Sequence, residues 1–345
     1  MSDGRRLRSA LAVSLVALGA CAHSEPFQPD EAAPRGPSST TIPRQLSFNP
    51  GDDRAPSVNA GTVAYSRYDP ARTPAARCVA LLPPDGGSLI GLHCPPKPTP
   101  ADTFVSTWLE PAIAGDGQRV AFVWQRGART SALGAWTHEL AVAPRDSLRH
   151  PALRLLLGAP RADGRLFNTA TKLGWTDDRT VRFIAAFDWI FKVKGGGTAR
   201  LTDTVLVGLA LFDLDVPTAS LRQVPGGDSV YAWAADPAGP LYVIKDADST
   251  TVHALAADGS LTAMAAFPAP VTDLAVIDRR LVAATGTGSL WWRDPVSGAS
   301  GMLLARGPVH RVAPAGERRL IAEVERSVEL FGAPANLWLL ELPAR

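Results

Sequence analysis

A short unit of strand, turn and strand recurs six times along this chain of 345 residues. Each copy has a run of small or apolar residues, a turn that contains Asp or Gly, and then an apolar strand. The copies are APSVNAGTVAYS, EPAIAGDGQRVAFVW, TKLGWTDDRTVRFIA, YAWAADPAGPLYVI, TDLAVIDRRLVAA and HRVAPAGERRLIAE. Repetition on this scale indicates an array of similar supersecondary units, so it constrains the fold more than composition does.

The spacing of the copies predicts the kind of array. Thirty Gly, thirty Pro and many segments of period two indicate an all-β body. Repeats of about 40 to 50 residues in all-β chains are typical of propeller blades, each a four-stranded sheet. We therefore predict a β-propeller of six blades, with five or seven as the alternatives. The first apolar residues after the six turns, separated by 57, 61, 60, 40 and 39 residues, are Val63, Val120, Val181, Leu241, Leu281 and Leu320.

The repeat unit resembles that of TolB-like and WD40-like (PD40-type) propellers, in which Pro, a small residue, Asp-Gly and an apolar strand follow in order. Segment 110–122, EPAIAGDGQRVAF, is the closest copy. Later copies depart from the pattern, since no Gly follows Asp236 or Asp278. The resemblance covers residues 43–345 and implies a fold rather than a function, because propellers host many unrelated activities.

The last copy predicts only three strands before the chain ends, near residues 309–313, 319–324 and 337–342. Segment 43–48, with the sequence PRQLSF, lies just before the first copy and is the candidate for the missing strand. A propeller closed by this N-terminal strand would leave no open sheet edge, which is the part of a sheet most prone to aggregate.

The N-terminus has the features of an export signal. Three Arg lie within the first eight residues, and segment 10–20 is apolar but too short to span a bilayer. The sequence Leu-Gly-Ala-Cys at 18–21 resembles a bacterial lipoprotein signal. That resemblance implies cleavage before Cys21 and a diacylglycerol on its thiol. The alternative is an ordinary secretory signal with a chance Cys.

The predicted organisation is a signal peptide over residues 1–20, a flexible tether over 21–42 and the propeller over 43–345. The tether is rich in Pro, Ser, Ala and charge and has little to bury. A lipid on Cys21 implies a protein of the cell envelope, on the periplasmic side or at the cell surface. Ala22 rather than Asp after the Cys favours the outer membrane, by resemblance to the enterobacterial sorting rule.

The charge balance bears on the partner. Removing residues 1–20 takes three Arg and one Asp from totals of 35 basic and 33 acidic residues, which leaves 32 of each. A nearly neutral mature chain argues against a nucleic-acid partner, because such partners normally demand a basic surface.

Cys78 and Cys94 form an even pair in an oxidising compartment. Gly86 lies midway between them in the turn signal PPDGG, so a hairpin centred there places the two Cys opposite each other. Directly opposed residues are within disulfide reach. We predict a disulfide; a zinc site is the rival, but His93 alone adds too few ligands.

The search for chemistry returns little. The chain has no nucleophile elbow, no HExxH zinc motif and no phosphate-binding P-loop, so no catalytic residue, metal site or cofactor is predicted. Calcium at the Asp-rich turns near 177 and 247 is weighed against solvated turn carboxylates, which are commoner. Three carboxylates near predicted strand starts are candidates to meet at the channel mouth as acid and base: Glu110, Asp228 and Asp273.

Two functions remain open at this point. The first is a lipid-anchored binding or scaffold protein of the cell envelope, an accessory subunit of a membrane complex with a protein partner. The second is a periplasmic propeller enzyme, a hydrolase or a quinoprotein-like protein, with its site at the channel mouth. We predict the first, because a rigid ring on a flexible lipidated leader is suited to docking onto membrane complexes.

One segment predicts where a partner binds. Residues 181–211 are predicted to form a single long hairpin centred on Gly196. Two residues then lie opposite each other when their numbers add up to 392, and most of these pairs are apolar. Its far end would project past the ring as an arm, unless its aromatic residues pack between blades. The candidate partner- or membrane-binding residues are Trp189, Ile190, Phe191, Lys192, Lys194 and Arg200.

Overall fold

Alternation of apolar residues with Gly- and Asp-containing turns folds the described part of the chain into β-strands, without a helix. None of these residues forms a helix with the length and hydropathy of a membrane span. The computed structural model describes residues 43–69, 76–99, 104–128, 137–158, 165–192, 198–200, 208–236, 239–304, 308–326 and 334–345. The predicted signal peptide, the tether and Cys21 lie outside the described residues.

The strands form six antiparallel sheets of four neighbouring strands, with one extra short strand in the third sheet. Strand β1 (Arg44–Gln45) comes first in the chain. Blade 1 then contains β2 (Asp53–Asn59), β3 (Thr62–Asp69), β4 (Ala76–Leu82) and β5 (Gly91–His93). Blade 2 contains β6 (Phe104–Ile113), β7 (Arg119–Ala128), β8 (Thr137–Pro144) and β9 (Leu153–Leu156). Blade 3 contains β10 (Arg165–Trp175), β11 (Thr180–Lys192), the short β12 (Thr198–Arg200), β13 (Gly208–Asp215) and β14 (Ser220–Asp228).

The second half of the chain repeats the plan with shorter strands. Blade 4 contains β15 (Val230–Ala235), β16 (Leu241–Lys245), β17 (Asp248–Leu255) and β18 (Leu261–Ala266). Blade 5 contains β19 (Val271–Ile277), β20 (Arg280–Thr285), β21 (Leu290–Arg293) and β22 (Ser300–Leu304). Blade 6 contains β23 (Val309–Pro314), β24 (Arg319–Glu325) and β25 (Ala335–Glu341). The six-bladed propeller predicted from the repeat is therefore confirmed.

The N-terminal strand closes the ring, as predicted. Strand β1 pairs with β25 and supplies the fourth strand of blade 6. The backbone N–H of Leu46 then donates to Leu337 at 2.7 Å, and the N–H of Leu337 donates to the hydroxyl of Ser47 at 2.9 Å. The two ends of the described chain are thus joined in one sheet.

The core lies between the blades. Six clusters of buried apolar residues are present among the described residues, and each joins two adjacent blades. Strand β20 shows how: Leu281 and Ala283 pack toward blade 4, whereas Val282 and Ala284 pack toward blade 6. Because successive side chains point to opposite faces of a sheet, a strand buried on both faces reads as a continuous apolar run.

Cys78 and Cys94 are joined by a disulfide in blade 1, with Cα atoms 4.3 Å apart. The register of β4 and β5 explains the contact, because Val79 pairs with His93 and the next pair outward is Cys78 with Cys94. The turn between the strands contains Gly86 and Gly87, both with positive φ. The bond therefore ties the short outer strand of blade 1 to the rest of that sheet.

The register predicted for the long hairpin is wrong. Val181 pairs with Leu214 rather than Leu211, and the strands β11 and β13 keep that register as far as Phe187 and Gly208. Beyond this point β11 pairs with β12, where Ile190 lies opposite Arg200. The hairpin is therefore two ladders with different registers, because β11 changes its partner strand along its length. Strand β11 itself has 13 residues.

Candidate functional site

The innermost strands of all six blades carry a β-bulge before the turn that ends the strand. The pairing of each with its neighbour shifts between Arg54 and Ser57, Leu109 and Ala112, Thr171 and Gly174, Val230 and Ala232, Val271 and Asp273, and Val309 and Arg311. A bulge bends its strand and re-aims a side chain. Six bulges at the same level therefore place a ring of side chains around the central channel.

Four charged side chains from these bulges meet in the channel. Glu110 comes from blade 2, Lys172 from blade 3, Asp273 from blade 5 and Arg311 from blade 6. All four line the same cavity, together with residues from blades 1 and 4. They bring two negative and two positive groups to one level of the channel.

The four charges are bonded across the channel. Arg311 Nη2 donates to Glu110 Oε1 at 3.1 Å, although blade 1 separates their blades. The ammonium of Lys172 contacts Asp273 and also donates to the carbonyl of Leu274 at 3.0 Å. These ion pairs form a floor to the cavity rather than a lining of separate groups.

Backbone donors complete the carboxylates of this floor. The N–H of Lys172 donates to Glu110 Oε2 at 2.7 Å, and the N–H of Val312 donates to Asp273 Oδ2 at 2.8 Å. Asp273 is only 1% exposed, whereas Glu110 and Arg311 are 19% and 23% exposed. Each carboxylate is thus engaged by a backbone N–H and by a cation.

The backbone at two of these residues is strained. Glu110 and Lys172 have φ values of 50° and 53°, and Ala55 occupies the same left-handed region in blade 1. Non-glycine residues in this region cost on the order of 1–3 kcal/mol each and cluster at functional sites. Burial and the positive charge of Arg311 hold the pKa of Lys172 well below its usual value, although Glu110 opposes them.

Two tryptophans fix the level of the neighbouring strands. Trp175 Nε1 donates to the carbonyl of Ala112 at 3.0 Å, and Trp233 Nε1 donates to that of Lys172 at 2.9 Å. Each bond links one inner strand to the inner strand of the preceding blade. The bond from Trp233 is accepted by the carbonyl of Lys172 itself, so it helps to hold the strained bulge that positions the Lys172 side chain.

The predicted carboxylates fare differently. Glu110 and Asp273 do meet at the channel, whereas the placement of Asp228 there is wrong. Asp228 ends β14, the outer strand of blade 3, and its side chain is 74% exposed beside Lys245. The error has a plain cause, since Asp228 directly precedes an inner strand in sequence but belongs to the previous blade's edge.

Sequence reasoning missed Lys172 and Arg311. Both lie in copies of the repeat, in TKLGW and HRVAPAG, at the level where Glu110 and Asp273 lie in theirs. Superposing the copies on their bulge positions, rather than on the turn, would have brought the four charged residues together. The signal was therefore present but depended on knowing that each inner strand is bulged.

The Asp-rich turns use their carboxylates locally. Asp177 Oδ1 accepts the N–H groups of Arg179 and Thr180 at 2.7 and 2.8 Å, and Asp248 Oδ1 accepts the hydroxyl of Thr250 at 3.0 Å. Within the described part of the chain, no three His, Cys, Asp or Glu side chains gather as a metal-binding group.

The partner-binding residues predicted from the long hairpin lie at its far end. Ile190 and Phe191 belong to β11 and pair with β12, and Trp189 lies opposite Arg165. Lys192 pairs with Thr198, and Arg200 with Ile190. Lys194 lies outside the described residues, and the structure describes no side chain at the other five positions.

No protein-family model and no curated protein matches this chain. Solved structures do. A luciferin-regenerating enzyme matches with a TM-score of 0.52 at 11% identity, over 87% of this chain and 95% of that one. Regucalcin of Agrobacterium tumefaciens, described as a calcium-binding protein, matches with a TM-score of 0.51 at 10% identity, over 89% and 96%. The β-propeller domain of Myceliophteria thermophila Cps50 (Swd1) gives 0.51 at 10%, over 88% and 100%.

At these identities the likeness concerns the fold alone. The similar structures include an enzyme and a domain described only as a propeller. The topology of the chain is that of a six-bladed β-propeller, and this fold alone assigns no activity, because propellers host many unrelated functions.

Proposed function

We propose that this chain is a lipid-anchored propeller of the cell envelope that acts as a non-catalytic binding or scaffold protein, an accessory subunit of a membrane complex. The anchor rests on the Leu-Gly-Ala-Cys sequence at 18–21. The observation that carries the non-catalytic role is the mutual pairing of the charged groups in the channel, where acid–base chemistry would be expected.

Acid–base catalysis needs two groups in opposite protonation states, with one of them free to reach a substrate. Glu110 and Asp273 each accept a backbone N–H and contact a cation, so both carboxylates are already engaged by groups of the protein. The floor of the channel therefore stabilises the ring and shapes a binding cavity.

The alternative is a periplasmic propeller enzyme with its site at the channel mouth. One observation favours it, namely that Glu110 and Asp273 line the same cavity. The calcium named for the regucalcin neighbour is not expected in this channel, because Lys172 and Arg311 lie beside the two carboxylates and offset their charge.

A pull-down from solubilised membranes, run beside a panel of hydrolase and dehydrogenase assays, separates the two functions. A scaffold would retain a stoichiometric membrane protein and show no turnover. Turnover that disappears in both Glu110→Gln and Asp273→Asn, with unchanged melting, would establish the enzyme instead.

Membrane fractionation of Cys21→Ser tests the anchor separately. Loss of the lipid should move the protein from the membrane to the soluble fraction, because one thiol carries the whole anchor. Cys78→Ser is the matched control, since it removes a different Cys and should leave the protein in the membrane fraction. Sedimentation of Cys21→Ser with membranes would place the anchor elsewhere.

A further inference from the structure

The channel holds a cavity of about 190 Å³ above the floor of ion pairs. It runs from the bulges to the turns that end the six inner strands, and every blade contributes to its wall. A cavity of about 150 Å³ is enough for a benzene-sized ligand in another protein. The space is thus large enough for a small organic molecule.

The wall and the floor of this cavity differ in chemistry. The floor carries Glu110, Lys172, Asp273 and Arg311. The wall is mainly apolar and includes Pro56, Ile113, Trp175, Trp233, Val276 and Pro314. A few convergent polar groups at one end of an apolar cavity are typical of a small-molecule site. The matching ligand has an apolar body and one polar head.

The floor has hydrogen-bond donors that are not used within the floor itself. Each oxygen of Glu110 and of Asp273 already accepts at least one contact from a backbone N–H or a cation. Arg311 donates through Nη2, whereas its Nη1 lies 3.7 Å from Asp273, beyond hydrogen-bond range. A guanidinium has five N–H donors and an ammonium has three, and Lys172 uses two of its three on Asp273 and Leu274. The head that fits is therefore an acceptor.

The charges of the floor admit a negative head. Lys172 contacts Asp273, so the ammonium and the carboxylate offset each other's charge. Arg311 and Glu110 also cancel. The planar fork of the Arg311 guanidinium suits a carboxylate bound through two oxygens. A cationic head would face the positive charge of Arg311.

We propose that the central channel is a binding site for a small organic carboxylate, whose head accepts hydrogen bonds from Arg311 and Lys172 and whose apolar body, up to the size of a benzene ring, packs against the channel wall. The strained bulges at Glu110 and Lys172 hold the floor in the geometry that this head requires. The site requires neither the lipid anchor nor a protein partner.

Ligand-observed NMR on the purified full-length protein tests the head group with three probes of one shape. Benzoate, benzamide and benzylamine differ in charge but share the ring. Benzoate should bind at least tenfold more tightly than benzamide, and benzylamine should not bind. Equal binding of all three, stronger binding of benzylamine, or no binding of benzoate up to about 10 mM would overturn the proposal.

Variants locate the binding. Arg311→Gln should weaken benzoate at least tenfold, whereas Arg154→Gln, which breaks an Arg–Glu pair on the outer strand of blade 2, should leave it unchanged. If Arg311→Gln fails to fold, Ala235→Trp replaces it, because Ala235 is exposed and lines the cavity near its turn. Folded Ala235→Trp should bind benzoate more weakly, and unchanged affinity would place the benzoate outside the channel.

The outcome is independent of the proposed scaffold function. Benzoate binding with no membrane partner in the pull-down would support the channel site and contradict the scaffold. A membrane partner with no benzoate binding would support the scaffold and contradict the channel site.

Discussion

Blades 2 and 3 and blades 4 and 5 have the same topology but differ in size. The inner strands of the first pair have 10 and 11 residues, whereas those of the second have 6 and 7. The bulges differ too, although each inserts one extra residue. In blades 2 and 3 two unpaired inner-strand residues, the first in the left-handed region, lie opposite one residue, whereas in blades 4 and 5 a single inner-strand residue is unpaired.

The additional length lies at one end of the ring. In blade 2 the first pair of the inner ladder, Phe104 with Ala128, lies far from the turn that ends β6, and Phe104 is 51% exposed. The cavity lies at the other end, between the bulges and the turns. The compact blades show what the ring needs, so the extensions of blades 2 and 3 are available for another purpose.

The largest effect on stability is expected at the seam, the junction where β1 pairs with β25 and closes the ring. Deleting residues 43–48 removes β1 and the buried Leu46 and exposes the edge of β25. We expect loss of cooperative melting and aggregation, measured by calorimetry and light scattering. Gln45→Ala is the control, because the side chain of Gln45 bonds only the nearby carbonyl of Ser47. A deletion variant that melts like the parent would show that β1 is dispensable.

A substitution in the core of a long blade should come next. Phe212 is buried in blade 3, with its ring 4.8 Å from that of Phe167. Phe212→Ala should lower the free energy of unfolding by about 3–5 kcal/mol in urea titrations. Phe104→Ala, at the exposed end of blade 2, should change it by less than about 0.5 kcal/mol. Similar losses at the two sites would show that the extension is part of the core.

The same blades show how much of the fold can be predicted from the sequence. Six copies of one unit predict six blades, and the missing strand of the last copy predicts closure by 43–48; both follow from local patterns. The register of the long hairpin does not. A turn centred on Gly196 and a run of apolar pairs are consistent with several registers, and only pairing in three dimensions shows that β11 exchanges β13 for β12.

The candidate site shows the same limit. Glu110 and Asp273 were recognised as carboxylates near strand starts, but the cations that neutralise them come from other blades. Glu110 and Arg311 are 201 residues apart in the chain. Nothing local in the sequence indicates that these two side chains meet, because the contact depends on the curvature and closure of the whole ring.

The disulfide lies in blade 1, and its loss should have an intermediate effect on stability. Replacing Cys78 and Cys94 together with Ala removes the constraint on a loop of 16 residues of separation. We expect a loss of about 3 kcal/mol in the free energy of unfolding. Reducing the parent protein should reproduce it, and Cys21→Ser should not. Two free thiols in a peptide map of protein from the envelope would contradict the bond.

Asp53 at the seam should give a smaller, pH-dependent effect. Burial raises the pKa of Asp53 to about 7, although hydrogen bonds from Asn49 and Ser47 oppose it. A carboxyl group with a raised pKa in the folded state stabilises the protein at low pH, and this stability is lost as the pH rises from about 4 to 7. The loss from this group between pH 5 and 7 should be at most about 2 kcal/mol.

Melting curves of Asp53→Asn against pH check this effect. The amide is similar in shape and cannot ionise, so the variant should lose the part of the pH dependence that falls between 5 and 7. Asp215→Asn is the control, since that carboxyl is exposed and its pKa is lowered by hydrogen bonds from Thr218. An unchanged slope in Asp53→Asn would assign the pH dependence to other groups.

The smallest effect on stability is expected at the far end of the long hairpin in blade 3. We propose that this end docks on a membrane protein or at the lipid interface, where Trp and basic residues are favoured. Its strand β11 continues past its last pair with β13, Phe187 with Gly208, and past its last pair with β10, Trp189 with Arg165, so the end from Ile190 onward pairs with β12 instead. Changing Trp189 and Phe191 together to Ser should therefore shift the melting temperature little and abolish the association.

The pair Phe183→Ser and Phe212→Ser, in the buried part of the same sheet, is the control and should unfold the protein instead. Fractionation and pull-down should be repeated with Cys21→Ser, so that the lipid does not mask the arm. If Trp189→Ser with Phe191→Ser melts as low as the core variant, these rings pack between blades 2 and 3, and the extensions of the long blades serve the core after all.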